Sequence, residues 1–338
     1  MKAVAYQTPL PIEQVDALQD IRLPDPVATG HDLLVEVRAV SVNPVDTKIR
    51  SGRTPPAGQW QVLGWDAAGI VRAVGPEVTL FKPGDRVWYA GDITRPGSNA
   101  ELQLVDERIV GHMPHSLDFA SAAALPLTSI TAWELLFDRL GVAPGKRPGN
   151  QQLLIVGAAG GVGSILTQLA SRLTALTVIG TASRPETRDW VTARGAHQVI
   201  DHSRPLGEQL KRIGLDNVSH VASLTQTEAH FAQLAEVIAP QGKLALIDDP
   251  VAPLDVMKLK AKSISLHWEL MFTRSLFKTA DMIAQHQLLN EVAALVDAGV
   301  IQTTVGEHFG PINAANLKRA HALLETGKAR GKIILEGF

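Results

Sequence analysis

The chain has 338 residues, more than the roughly 250–300 at which a single hydrophobic core stops growing, so two domains, or one with a large insertion, are expected. An apolar share of 45% with 20% charged residues excludes disorder and collagen-like sequence. The 32 Lys plus Arg against 34 Asp plus Glu leave a net charge of -2, without the basic footprint of nucleic-acid binding, and the lack of cysteine excludes disulfides, Fe–S clusters, thiolate nucleophiles and Cys-ligated zinc.

The opening MKAVAYQTPLPIEQVD has neither an apolar signal core nor an Arg-rich amphipathic pattern, so a cytoplasmic address is expected. The run from Pro148 to Ser171 is uncharged and long enough for a membrane span, but its five glycines, Gln151, Gln152, Ser164 and Thr167 point to a buried strand and a packed helix instead. No membrane partner is expected.

In chain order, LLVEVRAVSV (33–42), GIVRAVG (69–75), DRVWYAG (85–91) and AELQLV (100–105) alternate as strands, punctuated by KPGD (82–85) and GDITRPGSN (91–99). This predicts a β-rich module. From about Ala120 the pattern changes: strand and helix in 153–173, the strand LTVIGTA, a helix over 185–195, strand 197–202, the helix PLGEQLKRIG, strand 217–224, a helix from about Glu228 to Ile238, then strands 242–248 and 263–268. Repeated β-α units with unbroken apolar strands such as LLIV and LALI predict a doubly wound parallel sheet. A helix near 279–298, TTVGEHFG, a further helix and the strand GKIILE (331–336) close the chain, and this tail is assigned back to the first domain. The expected division is therefore 1–124 with 272–338, and 125–271.

The segment Ile155-Val156-Gly157-Ala158-Ala159-Gly160-Gly161-Val162-Gly163 lies between a predicted strand and helix and reads A-x-G-x-x-G with Ala158 in the first glycine slot. Gly160 would admit a pyrophosphate, Gly163 would let helix and strand pack closely, and the start of the helix, at Gly161 and Val162, would supply free N–H groups. A tight turn without ligand is the alternative. At the end of the second strand, where an acid would hold the ribose of NAD, stand Ser183 and Arg184, with Arg188 one turn later and no acid before Glu186. Arg suits a phosphate, so NADPH is the expected cofactor, an ordinary solvated helix start being the other reading. Ser223 and Thr225 after the fourth strand and Ile247 after the fifth would meet the cofactor at the carboxyl ends of the strands.

Together with VNPVDTKIRSG (42–52), GWDAAGIVRAVG (64–75), KPGDRV (82–87) and AHALLETGKARGKIIL (320–335), these features resemble the medium-chain dehydrogenase/reductase superfamily nearly end to end. The resemblance narrows to its quinone oxidoreductase branch, which includes zeta-crystallin, and to the subgroup labelled "zinc-type alcohol dehydrogenase-like". It implies an α/β chain: a GroES-like β-rich catalytic domain, a Rossmann domain, an active site in the cleft, and a homodimer. In zinc-dependent members a Cys stands at the place of Asn43 and a His-Glu pair at that of Trp65-Asp66, and the remaining Cys ligands are equally absent, so no metal is expected. His112 and His115 in GHMPH lack a visible third partner.

In the quinone reductase branch the residue matching Asn43 and a nearby aromatic line the acceptor pocket. Asp46 fits the acidic position, and Lys48 replaces a frequent Tyr, where it would polarise a carbonyl or stand exposed on a short helix. Trp65 would fill the metal space as an apolar wall or serve as core, and Thr131 matches a nicotinamide-side position or is an ordinary helical Thr. Phe272 and Arg274 would close the cleft or pack at the domain junction.

Tyr6 and Tyr89 have no Lys four residues on, and neither a G-x-S-x-G elbow nor a P-loop occurs, which removes short-chain reductase, hydrolase and nucleotide-triphosphatase chemistry. His267-Trp268-Glu269 superficially resembles a deaminase H-x-E without its Cys pair. The expected activity is metal-free hydride transfer from NADPH to a small-molecule electron acceptor, a quinone or an α,β-unsaturated carbonyl. The alternatives are zinc-type alcohol or aldehyde oxidoreduction and a low-turnover NADPH-binding sensor or RNA-binding protein.

Overall fold

The computed structural model describes residues 1–146 and 149–338, so Pro148 lies outside the described residues. The chain divides into two units, Met1–Ile130 with Phe272–Phe338, and Thr131–Met271. The first unit runs past residue 124 because the next segment is tied to it: Leu127 N–H donates to Asp66 Oδ1 at 3.0 Å, and the Thr303 and Thr304 hydroxyls donate to Ser121 O and Ala124 O.

The first unit is built on the long strand Asp32–Val42, whose alternate residues Leu33, Val35 and Val37 are buried, as a half-covered strand requires. Among the described residues it lies in a seven-stranded sheet with the order Val305–His308, Lys332–Glu336, Asp32–Val42, Ala67–Val74, Arg86–Tyr89, Val110–His112, with Leu102–Asp106 also pairing Asp32–Val42. Lys332–Glu336 runs antiparallel to Asp32–Val42, with Ile333 opposite Val42, so the chain's last strand reaches the end of the strand that leads into Asn43. A smaller sheet joins Gln19–Arg22, Lys2–Tyr6 and Gln61–Val62.

The expected helix near 279–298 is Ala284–Asp297, and a separate short helix, Thr273–Phe277, precedes it. Lys278 adopts a left-handed conformation (φ 48°), and its N–H closes on Arg274 O and Ser275 O, which ends the first helix before the second begins.

The second unit holds a six-stranded parallel sheet in the order Gln198–Ile200, Thr177–Thr181, Gln152–Val156, Val218–Ser223, Ile238–Leu246, Ser265–Trp268. That is the doubly wound 3-2-1-4-5-6 order, whose direction reverses beside Gln152–Val156, and ligands bind such sheets at the carboxyl ends of the strands there. The apolar run most suited to a membrane is Phe119–Arg139, and most of it is buried inside the protein.

Candidate active site

In the first unit, Asp32–Val42 runs into Asn43, which caps the helix Pro44–Gly52, with Pro44 at the position where a missing N–H is harmless. The Asn43 N–H donates to Asp46 Oδ2 at 2.7 Å, and Asp46 Oδ1 accepts from Gly64 N–H at 2.9 Å. The Asn43 side chain is fully engaged: Nδ2 donates to Asp66 Oδ2 at 3.1 Å and Ser41 O at 3.3 Å, and Oδ1 accepts from the Lys332 ammonium. Lys332 spends its other two N–H groups on Val42 O at 2.9 Å and Asp66 Oδ2 at 3.1 Å.

This cluster is closed to solvent, with Lys332 at 2% and Asp66 at 0% side-chain exposure. Burial pulls both toward neutrality, and each holds the other charged. Three acceptors around one Nζ are the environment of an ammonium ion. Burial pushes Asp46 up to about 7, against the opposing pull of the Asn43 N–H and Lys332.

Trp65 is completely buried, donates from Nε1 to Asp92 O at 3.2 Å and meets Phe272 edge-on at 6.3 Å between ring centroids. Asn43, Asp46 and Trp65 thus come together, and the Trp65 carbonyl lies 3.4 Å from Asn43 Nδ2. Lys48 does not join them. Two residues beyond Asp46 on a helix it points to the other side, where it borders a surface pocket of about 470 Å³ with Leu10, Glu13 and Glu325. Arg274 bonds Asp281 at 3.0 Å, the His112 ring packs tilted against Phe81, and the His115 N–H donates to Asp297.

In the second unit the turn after Gln152–Val156 enters the helix Gly161–Leu173, and Gly157 takes a positive φ of 84°. A Cβ on Gly163 would sit 2.4 Å from Gly157 O and 2.6 Å from Ala158 Cα, so only glycine lets helix and turn approach this closely. A Cβ on Gly160 would meet only Gly157 O at 3.5 Å. Gly160, Gly161 and Val162 are partly exposed, Ala158 is buried, and the helix has no side-chain cap. An uncapped, exposed N-terminus of this kind fits the pyrophosphate of a dinucleotide.

Gly157 N–H donates to Thr181 Oγ1 at 3.1 Å, which ties this turn to the end of Thr177–Thr181, where Ser183, Arg184 and Arg188 follow. Ser183 and Arg188 are exposed, Arg184 Nε lies 3.3 Å from Glu186, and Arg188 donates to Val199 O at 3.1 Å. Thr225 is exposed, with Cγ2 within 2.9 Å of where a Gly157 Cβ would be, and Ile247 is half-buried just beyond Leu246. Ser223 is different: it is fully buried and shares a hydrogen bond of 2.7 Å with Thr227, whose N–H and hydroxyl both donate to Asp248. That residue holds the loop in place. Thr131 is buried within the helix Pro126–Trp133.

Residues 29–115 match the family described as alcohol dehydrogenase GroES-like domain, and 194–335 match zinc-binding dehydrogenase. A zinc-type alcohol dehydrogenase-like protein of Staphylococcus aureus strain COL is 40% identical over 99% of both chains. The chain belongs to the medium-chain dehydrogenase/reductase superfamily. Within it the protein sits in the quinone oxidoreductase-like branch, as a quinone oxidoreductase of Pseudomonas aeruginosa, 32% identical over 90% of both chains, shows. Among solved structures, a Rhizobium etli CFN 42 chain described provisionally as a zinc-dependent alcohol dehydrogenase superposes with a TM-score of 0.96 at 58% identity, covering 100% of this chain and 98% of that one. The Escherichia coli quinone oxidoreductase complexed with NADPH gives 0.84 at 27% identity, covering 99% and 100%.

The zinc in these family names does not fit the residues of this medium-chain dehydrogenase/reductase. At the three corresponding places stand an amide whose oxygen is taken by Lys332, an indole that only donates, and a carboxylate bonded to Lys332, Asn43 and Leu127. Among the described residues no three His, Cys, Asp or Glu side chains are grouped to hold a metal ion.

Lys332 is the member of the cluster that sequence reasoning missed. A lysine heading the apolar run KIIL reads as the solvated end of a strand. The signal available was an acid, Asp66, in an otherwise apolar stretch, which once buried demands a cation from somewhere in the chain.

Proposed function

We propose that the protein is a cytoplasmic, zinc-independent reductase that uses NADPH to reduce a quinone or an α,β-unsaturated carbonyl. The observation that carries this reading is the closure of Asn43 and Asp66 on the Lys332 ammonium, which puts a fixed positive charge where a metal ion would have to sit. Without a Lewis acid, alcohol oxidation lacks a group to stabilise the alkoxide, whereas a quinone or enone delocalises the incoming charge onto its own oxygen. When bound, NADPH supplies the hydride.

Gly160, Gly161 and Val162 would receive the pyrophosphate on backbone N–H groups, with Ala158 and Gly163 shaping the turn. Ser183, Arg184 and Arg188 would hold the 2′-phosphate, for which Arg184 would exchange its contact with Glu186. Thr225, Ile247 and Thr131 complete the cofactor site in this reading. Trp65 and Phe272 form the apolar backing of the acceptor side, and Asn43 and Asp46 fix the turn that carries it. A homodimer belongs to the same proposal: Ser265–Trp268 is the edge strand of its sheet, and Trp268 is 53% exposed beside it.

The test is NADPH oxidation, with NADH in parallel, by EDTA-treated protein against a para-quinone, an ortho-quinone, a linear enone and a simple aldehyde. Turnover of quinone or enone with NADPH preferred is the expected result. Activity confined to the aldehyde and restored by zinc would overturn it, as would silence with all four despite NADPH binding.

A further inference from the structure

The His267-Trp268-Glu269 segment has no part in the reading above, and it carries a buried acid, Glu269. Glu269 follows the strand Ser265–Trp268, and its N–H donates to Leu246 O at 2.9 Å. Its carboxyl and that of Glu134 gather about the same guanidinium, that of Arg139, and both residues are buried. Two buried carboxylates beside a single guanidinium carry one negative charge too many unless one of them holds a proton. Arg139 completes the group, with Nε 2.8 Å from Glu269 Oε2 and an Nη2 3.8 Å from Glu134 Oε2. One shared proton leaves the two acids with a single negative charge, which Arg139 balances.

The local backbone is made for this arrangement. Glu134–Arg139 is a π-helical turn, closed by Leu140 N–H on Leu135 O at 2.9 Å. On an α-helix, residues five apart project about 140° from one another. The wider i→i+5 turn brings Glu134 and Arg139 round to one side, toward Glu269. Lys243 Nζ then anchors the end of the turn by donating to Leu140 O at 2.7 Å. Glu134 stands three residues after the chain enters the second unit at Thr131, and Glu269 two residues before it leaves at Met271.

We infer that Glu134 and Glu269 are positioning residues that share one proton and, with Arg139, clamp together the two segments by which the chain enters and leaves the cofactor-binding unit. The clamp holds while the proton is shared. Once it is lost, two adjacent buried carboxylates face one guanidinium, and the entering and leaving segments separate. Other charged or titratable groups on the packed elements are Asp138 of the same turn, His267 and Lys243. Burial, Lys243 and Arg139 hold the His267 imidazole below its usual range, so it stays neutral where the dyad titrates. Burial, then the charge of Glu134, pushes Glu269 up to about 9. The folded-state value lies above the unfolded one, so the clamp is intact at low pH and is lost as pH rises through about 9.

The test compares wild type with Glu269→Gln and Glu134→Gln, either of which keeps a neutral hydrogen bond without the titration. Amide exchange over residues 131–140 and 266–271 and Tm are followed between about pH 6 and 10. Expected is a wild-type Tm that falls by several degrees relative to Glu269→Gln as pH rises, with exchange in both segments accelerating together beyond the same segments of that variant. Identical pH dependence in wild type and either folded variant overturns the inference. If neither variant folds, the wild type alone decides: exchange over the two segments must rise above that of the neighbouring strand Val218–Ser223 near pH 9, and parallel behaviour refutes the clamp. The outcome does not depend on which acceptor the protein reduces.

Discussion

Lys332 Nζ and Asp66 Oδ2 lie 3.1 Å apart, closed off from solvent at the point where the last strand of the chain meets the end of Asp32–Val42. A charge pair this deeply buried contributes little net stability against an apolar replacement, but removing one partner leaves an uncompensated charge. What it supplies is direction. Three acceptors converge on one ammonium, fixing Asn43, and through Asn43 the start of the helix that bears Asp46 and Lys48.

Lys332→Met should therefore destabilise the protein by about 3–5 kcal/mol, and Asp66→Asn by a similar amount. Both together should recover a large part of the loss, because the double variant buries no unpaired charge. Urea denaturation of the four proteins measures the coupling, and simple additivity of the two losses would contradict the account.

Asp46 provides a pH prediction. Its folded-state value is pushed up to about 7 by burial, above the unfolded carboxylate range, so its contribution is complete at low pH and is lost as pH rises through about 7. The wild type should lose up to about 1.4 kcal/mol per pH unit relative to Asp46→Asn between roughly pH 4 and 7. Chemical denaturation across that range checks the slope, and a wild type that gains stability over Asp46→Asn as pH rises would show that the two backbone N–H groups outweigh burial.

The strands of the parallel sheet and the glycine turn were legible in the sequence because both are local: apolar strands at regular spacing, and glycines where strand passes to helix. The cluster around Lys332 was not, since its members come from four distant segments that only the fold assembles. Ser223 shows the same limit at finer scale. Its place after the fourth strand was predicted, but which of Ser223 and Thr225 faces outward depends on the bond to Thr227, which strand spacing does not reveal. Lys278 is a third case, since a left-handed lysine carries no compositional signal for the end of a helix.

The two glycines of the turn should separate folding from binding. Gly163→Ala places a Cβ 2.4 Å from Gly157 O, so the turn must distort, lowering Tm by several degrees and abolishing NADPH binding together. Gly160→Ala meets only an ordinary contact at 3.5 Å. Its Tm should stay within about 2 °C of wild type, while NADPH affinity, read by fluorescence titration, falls about 10-fold or more because the methyl group would stand where the pyrophosphate approaches in the proposed site. Equal losses of Tm in both variants would place Gly160 in the packing instead.

In the proposed reading cofactor choice rests on Arg184 and Arg188, which follow Thr177–Thr181 with Ser183. Arg184→Ala should raise the Kd for NADPH about 10–100-fold with little change for NADH, since the two differ only in the phosphate that the guanidinium would grip. Arg188→Ala should act in the same sense more weakly, because its guanidinium is already bonded to Val199 O at 3.1 Å. The preference should narrow with added salt, as an exposed charge contact does. Glu186→Gln, which frees Arg184 from its neighbour at 3.3 Å, should tighten NADPH. Parallel isothermal titrations with NADPH and NADH measure all four effects, and an unchanged ratio in Arg184→Ala would move phosphate recognition to another part of the second unit.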